Sequence, residues 1–384
     1  MKDMVKQKIK FQVMRLLHAL FPLQSNKVLF FSFSGSTYSD NPKAISLKLH
    51  ELYPEVRQVW IFSNPEMKRD LVPFDFQITK KWNLRSIYDL ATAKVWVMND
   101  ALPYWAYKGK DQIYIQTWHG DRGFKKILYD FSSREGMIPL REDVSCDLAV
   151  AGSDFGEAFY RTAFHYTGKV LKTGCPRNDE LIHASSEKII DKKAFLGLGK
   201  NFRYILYAPT LRNKQGKTRE AQPVQTLDFI SILDTLERIT GERWRFLVRS
   251  HIKVPGLTGF PDSERIINAT QIEDMADLLL VSDMLITDYS SSVGDFALTK
   301  RPMILFQDDR ATYLEKERTF YFDLDSSPFW IVQSQGELLE LLEDLPNRDV
   351  DENCKDVLNF FKTHETGHAS EDVARFIGAH VKIV

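Results

Sequence analysis

The chain has 384 residues, 43% of them hydrophobic and 12% aromatic, enough for two packed domains and too apolar for a disordered chain. Lys and Arg number 51 against 52 Asp and Glu, and a net charge of −1 leaves no basic footprint of a nucleic-acid binder. Three separated cysteines offer neither a disulfide framework nor a C-x-x-C zinc spacing, and suit a reducing, cytoplasmic compartment.

The neutral sum hides an uneven start. Residues 1–27 carry Lys2, Lys6, Lys8, Lys10, Arg15 and Lys27 against a single acid, Asp3. Val5, Ile9, Val13, Leu16 and Leu20 recur at helical spacing until Pro22, which predicts a helix within residues 1–22. No apolar run is long enough to span a bilayer, and the start lacks the apolar core and cleavage site of a secretory signal. A basic amphipathic helix of this kind lies in the interface of an anionic membrane. The alternative is a helix packed on its own domain, which Phe11 and Met14, off the stripe, would suit.

Strand-like runs then follow at 28–33, 56–62, 94–98, 112–117 and 148–151, with a helical run at 44–52. Alternation of this type predicts βαβ units and a parallel sheet over residues 23–190. A polar break near 184–201 precedes a second set: strands at 204–207, 245–248, 265–268, 284–287 and 303–306, and helices at 228–239, 275–282 and 291–299. The expected fold class is therefore α/β, with a second doubly wound, Rossmann-type domain over 200–350 and a central cleft lined by the carboxyl ends of the strands. The acidic stretch 337–352 reads as a solvated helix and turn, and residues 355–384 as C-terminal helices packing back on the first domain.

Several strand ends carry chemistry-bearing residues. Gln116-Thr117-Trp118-His119-Gly120 delivers Trp118 and His119 to a strand end, where a histidine can move a proton near neutral pH. A buried histidine bonded to a backbone carbonyl is the competing reading. Lys125 and Lys126 follow within one or two helical turns, as partners for phosphate or lipid head groups or as a solvated face. Gly174-Cys175-Pro176-Arg177-Asn178-Asp179 reads as a rigid turn, with Asn178 and Asp179 capping the following helix. Tyr207-Ala208-Pro209-Thr210-Leu211-Arg212 puts Pro209, Thr210 and Arg212 at the exit of a strand. Arg249 and His251 end another, with a planar fork suited to phosphate oxygens and a second donor. Asp288, Ser290, Ser291 and Ser292 lie between a strand and a helix start, where hydroxyls, free N–H groups and the helix dipole favour an anion. Asp295 fits a capping box at the third helical position. Asp308-Asp309 is the one tempting acidic pair for a divalent cation such as Mg2+, but it is isolated, and no residue is assigned as a metal ligand. The chain has no P-loop, no G-x-G-x-x-G after a strand and no G-x-S-x-G elbow, which counts against a kinase, a nicotinamide enzyme and that hydrolase class.

Taken in order, QTWHG (116–120), the following KK, GCPRND (174–179), YAPTLR (207–212), RSH (249–251), SDMLITDYSSSVGDFALTKRP (282–302) and FYFDL (320–324) resemble the CDP-glycerol glycerophosphotransferase family of teichoic acid synthesis. The resemblance implies a GT-B-like fold and transfer of glycerol phosphate from CDP-glycerol to a polyprenyl-linked saccharide hydroxyl. It implies catalytic roles for His119 and His251, and a donor diphosphate at Ser290, Ser291 and Ser292, beside which Arg249 and Asp288 are expected to line the same site. The enzyme is expected at the cytoplasmic face of a bacterial membrane, held there peripherally by the N-terminal helix. A ribitol-phosphate transferase, an iterating polymerase, a sugar-nucleotide glycosyltransferase and a non-enzymatic scaffold are the rivals. Family members often follow WHG with Thr-Pro-Leu, whereas this chain has Asp121-Arg122-Gly123-Phe124, a loop expected to face the acceptor.

Overall fold

The computed structural model describes residues 2–131, 141–210, 227–249, 263–317 and 319–382. The chain divides into two compact units, one made of Met1–Asp121, Ile127–Asp179 and Thr363–Val384, the other of Arg122–Lys126 and Glu180–Lys362.

The first unit is a seven-stranded parallel sheet built from β1 (Gln24–Phe31), β2 (Arg57–Phe62), β3 (Gln77–Lys80), β4 (Ala93–Met98), β5 (Ile113–Gln116), β6 (Leu148–Ala151) and β7 (Lys169–Lys172). Its spatial order is β3-β2-β1-β4-β5-β6-β7. The helices are α1 (Lys2–Leu20), α2 (Asp40–Leu52), α3 (Leu84–Thr92), α4 (Glu142–Ser145) and α5 (Asp154–Thr162). Near-continuous apolar runs such as Val28–Phe31 are buried on both faces of the sheet, as parallel strands require. The strand order reverses between β1 and β4, so the crevice for a ligand opens where those two strands end.

The second unit is a six-stranded parallel sheet of β8 (Arg203–Tyr207), β9 (Trp244–Val248), β10 (Ile266–Asn268), β11 (Met284–Thr287), β12 (Met303–Phe306) and β13 (Trp330–Val332), in the order β10-β9-β8-β11-β12-β13. Its helices are α6 (Asp179–Ile182), α7 (Ser186–Phe195), α8 (Phe229–Thr240), α9 (Met275–Val281), α10 (Ser292–Phe296), α11 (Arg310–Lys316), α12 (Gln335–Asp344) and α13 (Val350–Phe360). Here the reversal lies between β8 and β11. A last helix, α14 (Ala369–Gly378), belongs to the first unit, where Val373, Ala374 and Ile377 join the core with Ile45 and Leu49 of α2. Helix α13 stays with the second unit, so only the stretch from Thr363 onward joins the first.

Helix α1 packs and exposes at once. Met14 is fully buried, and Phe11 and Leu17 lie against the same core as Leu90, Trp105 and Ala106. The His18 Nε2 atom sits 3.0 Å from the Tyr107 carbonyl oxygen. The stripe of Val5, Ile9, Val13, Leu16 and Leu20 points the other way, with Ile9 58% and Leu20 63% exposed.

Midway along β1, Lys27 is fully buried and donates to Asp89 at 3.1 Å and to Thr92. Burial lowers its pKa from 10.5 to about 8, against the opposing pull of Asp89. Between pH 8 and 10.5 the unfolded chain therefore binds the extra proton, and stability rises with pH. A Lys27→Met variant is expected to lack this rise, which is worth on the order of 2–3 kcal/mol. Urea unfolding midpoints of both proteins across that window measure it.

Candidate active site

The first constellation stands at the β1/β4 reversal and the neighbouring end of β5. The chain leaves β5 through Gln116 and makes a left-handed residue at Trp118, with φ 48°. For a bulky residue that conformation costs about 1–3 kcal/mol, so surrounding bonds must enforce it. His119 comes next. Its Nδ1 lies 2.6 Å from the backbone carbonyl of Asn99, beyond β4. A carbonyl only accepts, so in the neutral ring the proton resides on Nδ1 and Nε2 keeps its lone pair. The Asp100 carboxylate stands 3.7 Å from Nδ1 and accepts from the Ser34 hydroxyl at 2.8 Å. The imidazole lies between the Trp118 ring at 4.1 Å and the Phe33 ring at 5.1 Å, and the side chain is about a third exposed (31%). The carbonyl-bonded histidine of the competing reading is therefore present, and in the neutral ring it leaves the lone pair on Nε2.

A buried polar network surrounds this turn. Asn99 Nδ2 donates to Asp40 Oδ1 at 3.1 Å, and Asp40 pairs with Arg177 at 3.5 Å. Asn41 Nδ2 donates to the carbonyls of Trp118 and Thr117. Sequence reasoning missed Asp40, Asn41, Asn99 and Asp100, because each is a common loop residue whose partner lies tens of positions away. The GCPRND segment is a turn as expected, but its caps act at long range. Asp179 accepts from the N–H groups of Ala369 and Ser370 at the start of α14, and Asn178 donates to Glu365.

The second constellation stands at the β8/β11 reversal. Asp288 is buried and its carboxylate accepts from the Thr210 N–H at 2.9 Å, the Thr210 hydroxyl and the Tyr289 N–H. That carboxylate ties the β8 exit, with Pro209, to the β11 exit. The Ser290 hydroxyl accepts from Ser292 N–H at 3.3 Å and bonds the Ser292 hydroxyl at 2.9 Å. Ser291 precedes α10 without a side-chain cap bond. Arg249, just past the end of β9, donates to the Glu273 carbonyl at 2.8 Å. His251 and Arg212 lie outside the described residues. The expected pair of Arg249 and His251 is thus placed only at Arg249.

Three sequence expectations are corrected in this unit. Asp295 falls one position beyond the third helical residue and does not complete a capping box; it accepts from Arg122 at 2.5 Å, both side chains being buried. The loop 121–124 is not an open surface. Arg122 and Phe124 are fully buried, and the Phe124 ring packs on Phe320, Phe322 and Phe329. Gly294 lets Arg122 in, since a Cβ there would meet the Arg122 Cβ at 2.6 Å. Finally, Lys125 and Lys126 are not helical. Lys125 bridges antiparallel to Phe320, and the Lys126 N–H donates to the Thr319 carbonyl at 3.0 Å. The neighbouring Asp121 serves the first unit, accepting from the Gly152 N–H and the Ser153 hydroxyl against Gly156, where a Cβ would lie 1.8 Å from its oxygen.

Asp309 accepts from the Tyr289 hydroxyl at 2.9 Å. Among the described residues, no group of three or more His, Cys, Asp or Glu is placed to hold a metal ion. None of the described helices is long and apolar enough to cross a membrane.

Comparison with known proteins places this geometry. The sequence profile of the family described as CDP-Glycerol:Poly(glycerophosphate) glycerophosphotransferase matches residues 13–379. The chain is 30% identical to a teichoic acid glycerol-phosphate transferase of Staphylococcus aureus (strain NCTC 8325 / PS 47), covering 97% of this chain and 100% of that protein. It is also 30% identical to a teichoic acid poly(glycerol phosphate) polymerase of Bacillus spizizenii, covering 97% and 98%. A Bacillus subtilis polymerase is 30% identical too, but the chain spans only 46% of its length. Among solved structures, the wall teichoic acid polymerase TagF, as a histidine-to-asparagine variant soaked with CDPG, superposes with a TM-score of 0.82 at 27% identity, over 98% of this chain and 95% of that one. A UDP-N-acetylglucosamine 2-epimerase from Listeria monocytogenes, at 13% identity and a TM-score of 0.54, shares the fold alone. The fold class is α/β with two parallel-sheet, Rossmann-like units, the pair from which GT-B-like folds are built. With its profile, its full-length relatives and its fold in agreement, the chain belongs to the CDP-glycerol:poly(glycerophosphate) glycerophosphotransferase family, the transferases of teichoic acid synthesis.

Proposed function

We propose that this protein transfers glycerol phosphate from CDP-glycerol to a hydroxyl of a polyprenyl diphosphate-linked saccharide, releasing CMP. The observation that carries this reading is His119, whose Nδ1 is committed to the Asn99 carbonyl at 2.6 Å while Nε2 remains a base. The Nε2 lone pair takes the acceptor hydroxyl proton. The acceptor oxygen forms a bond to the phosphorus bearing glycerol as the bond to the CMP oxygen breaks, and CMP leaves with that electron pair. Arg249, Ser290, Ser291, Ser292 and His251 supply the donors for the diphosphate, with Thr210, Pro209 and Arg212 beside the nucleotide. Such a reaction depends on positioning and charge stabilisation more than on covalent chemistry. Trp118, Lys125 and Lys126 are the acceptor-side candidates.

The deciding assay combines the purified protein, a lipid-linked disaccharide analogue and CDP-glycerol, with CDP-ribitol and UDP-sugars in parallel. CMP release and a product heavier by one glycerol phosphate are expected. Turnover of a UDP-sugar without turnover of CDP-glycerol sinks the reading. A second reading, repeated addition, is favoured by the 30% identity to a polymerase of nearly the same length. A ladder of products at excess donor establishes it.

The protein acts, in this reading, at the cytoplasmic face of a bacterial membrane, held peripherally by α1. Support comes from the exposed stripe of α1, flanked by the exposed Lys6, Lys8 and Arg15. Replacing Ile9 and Leu16 together by Glu is expected to abolish co-flotation with anionic vesicles and leave the melting temperature unchanged, since both side chains face outward. Undiminished flotation of that variant refutes the anchor.

A further inference from the structure

We propose that Gln116 and Asn41 are positioning residues: two buried carboxamides that clamp Trp118 at both of its peptide bonds and so fix the tautomer and direction of His119. The proposal rests on the reading of His119 as the base. Gln116 and Asn41 are both fully buried. Gln116 Oε1 accepts from the Trp118 N–H at 2.8 Å, while Asn41 Nδ2 donates to the Trp118 carbonyl at 3.0 Å and to the Thr117 carbonyl at 3.3 Å.

The orientation of each amide is forced by its partners. Gln116 faces a backbone N–H on one side and, on the other, the Asp100 carbonyl at 2.9 Å, which only accepts. Its nitrogen also donates to the Tyr114 hydroxyl at 2.7 Å, which in turn donates to the buried Glu142 carboxylate. Asn41 likewise accepts from the Arg177 N–H at 3.1 Å through Oδ1, leaving its nitrogen for the two carbonyls. A flip of either group would set oxygen against oxygen.

The consequence is local and specific. Trp118 holds a left-handed φ of 48° with no glycine to ease it. Its N–H and its C=O are each tied to a rigid neighbour, so the peptide leading into His119 has one orientation. Gln116 also holds the Asp100 peptide, immediately after Asn99, whose carbonyl receives His119 Nδ1. One side chain therefore ties the residue before His119 to the residue beside its acceptor. Neither amide needs to touch substrate. Both act through His119.

The test uses Gln116→Glu and Asn41→Asp, which keep size and the acceptor oxygen but lose the donor. Each is expected to lower kcat about 10²-fold, the scale of a misplacement near 1 Å, with the KM for CDP-glycerol changed less than about 2-fold. A folded variant that keeps kcat within about 3-fold of the parent overturns the proposal. So does a loss confined to KM. Independently of how the variants fold, ¹⁵N-histidine NMR of the unmodified chain provides a second reading, with His119 assigned by its absence in His119→Asn. The Nδ1–H tautomer is expected; the Nε2–H tautomer overturns the clamp. A His119→Asn protein with full turnover removes the base assignment itself, whereas an inactive His119→Asn beside fully active amide variants removes only the clamp.

Discussion

Replacing His119 by alanine is expected to cut CMP release by about 10²–10⁴-fold, the range that a lost general base commonly costs. The physical reason is that the variant loses the one nitrogen whose lone pair the Asn99 contact leaves available, since Nδ1 is held at the Asn99 carbonyl. His119→Asn sharpens the result. It retains a donor for the Asn99 carbonyl but has no base nitrogen, so it is expected to be as inactive as alanine. Folding should be little changed, since the ring is partly exposed and surface-side truncations typically cost within about 1 kcal/mol. Steady-state CMP release, with a thermal melt of the same samples, reads both effects. Turnover of either variant near the parental rate removes His119 from the mechanism.

The second large effect is on stability. Arg122→Met leaves the Asp295 carboxylate without its 2.5 Å partner in a setting where the two side chains are 0% and 6% exposed. Breaking a buried pair from one side costs about 3–5 kcal/mol, because a desolvated charge is left behind. The double variant Arg122→Met with Asp295→Leu is expected to recover much of that loss, since the apolar pair removes both charges together. Equilibrium unfolding in urea, followed by fluorescence of the second unit's Trp244 and Trp330, measures all three proteins. Additive losses in the double variant would show that the two residues do not act as a pair.

Much of the architecture was legible because buried parallel strands write themselves as short apolar runs. Leu148–Ala151, Met284–Thr287 and Met303–Phe306 match the predicted strands to the residue. The missing strands are the edges. β3 (QITK), β7 (KVLK) and β13 (WIV) are short and only partly buried, and two carry lysine, as edge strands do. The position of His119 at a strand end was also readable, because Gly120 and the run before it are local signals. Its surroundings were not. Asn41 reaches Trp118 across 77 positions and Arg122 reaches Asp295 across 173, and no periodicity reports such pairings. The stripe on α1 was seen, but the sequence could not say which face would pack. Met14 and Phe11 decided it, because the groove beside Trp105 and Tyr107 accepts an aromatic ring on its edge, at 5.2 Å from Tyr107.

The first unit draws its core from both ends of the chain: Val28 and Phe30 near one end, Val373 and Ile377 near the other. On the ribosome, every residue of the second unit emerges before α14 does. The first sheet must therefore wait, with its α14-facing apolar surface uncovered, while a second Rossmann unit is synthesised and folds beyond it. At the usual rates of translation that delay lasts on the order of ten seconds or more for some two hundred intervening residues. Domains of this kind do not fold strictly in the order in which they are made, and the interval is when chaperones would find this protein.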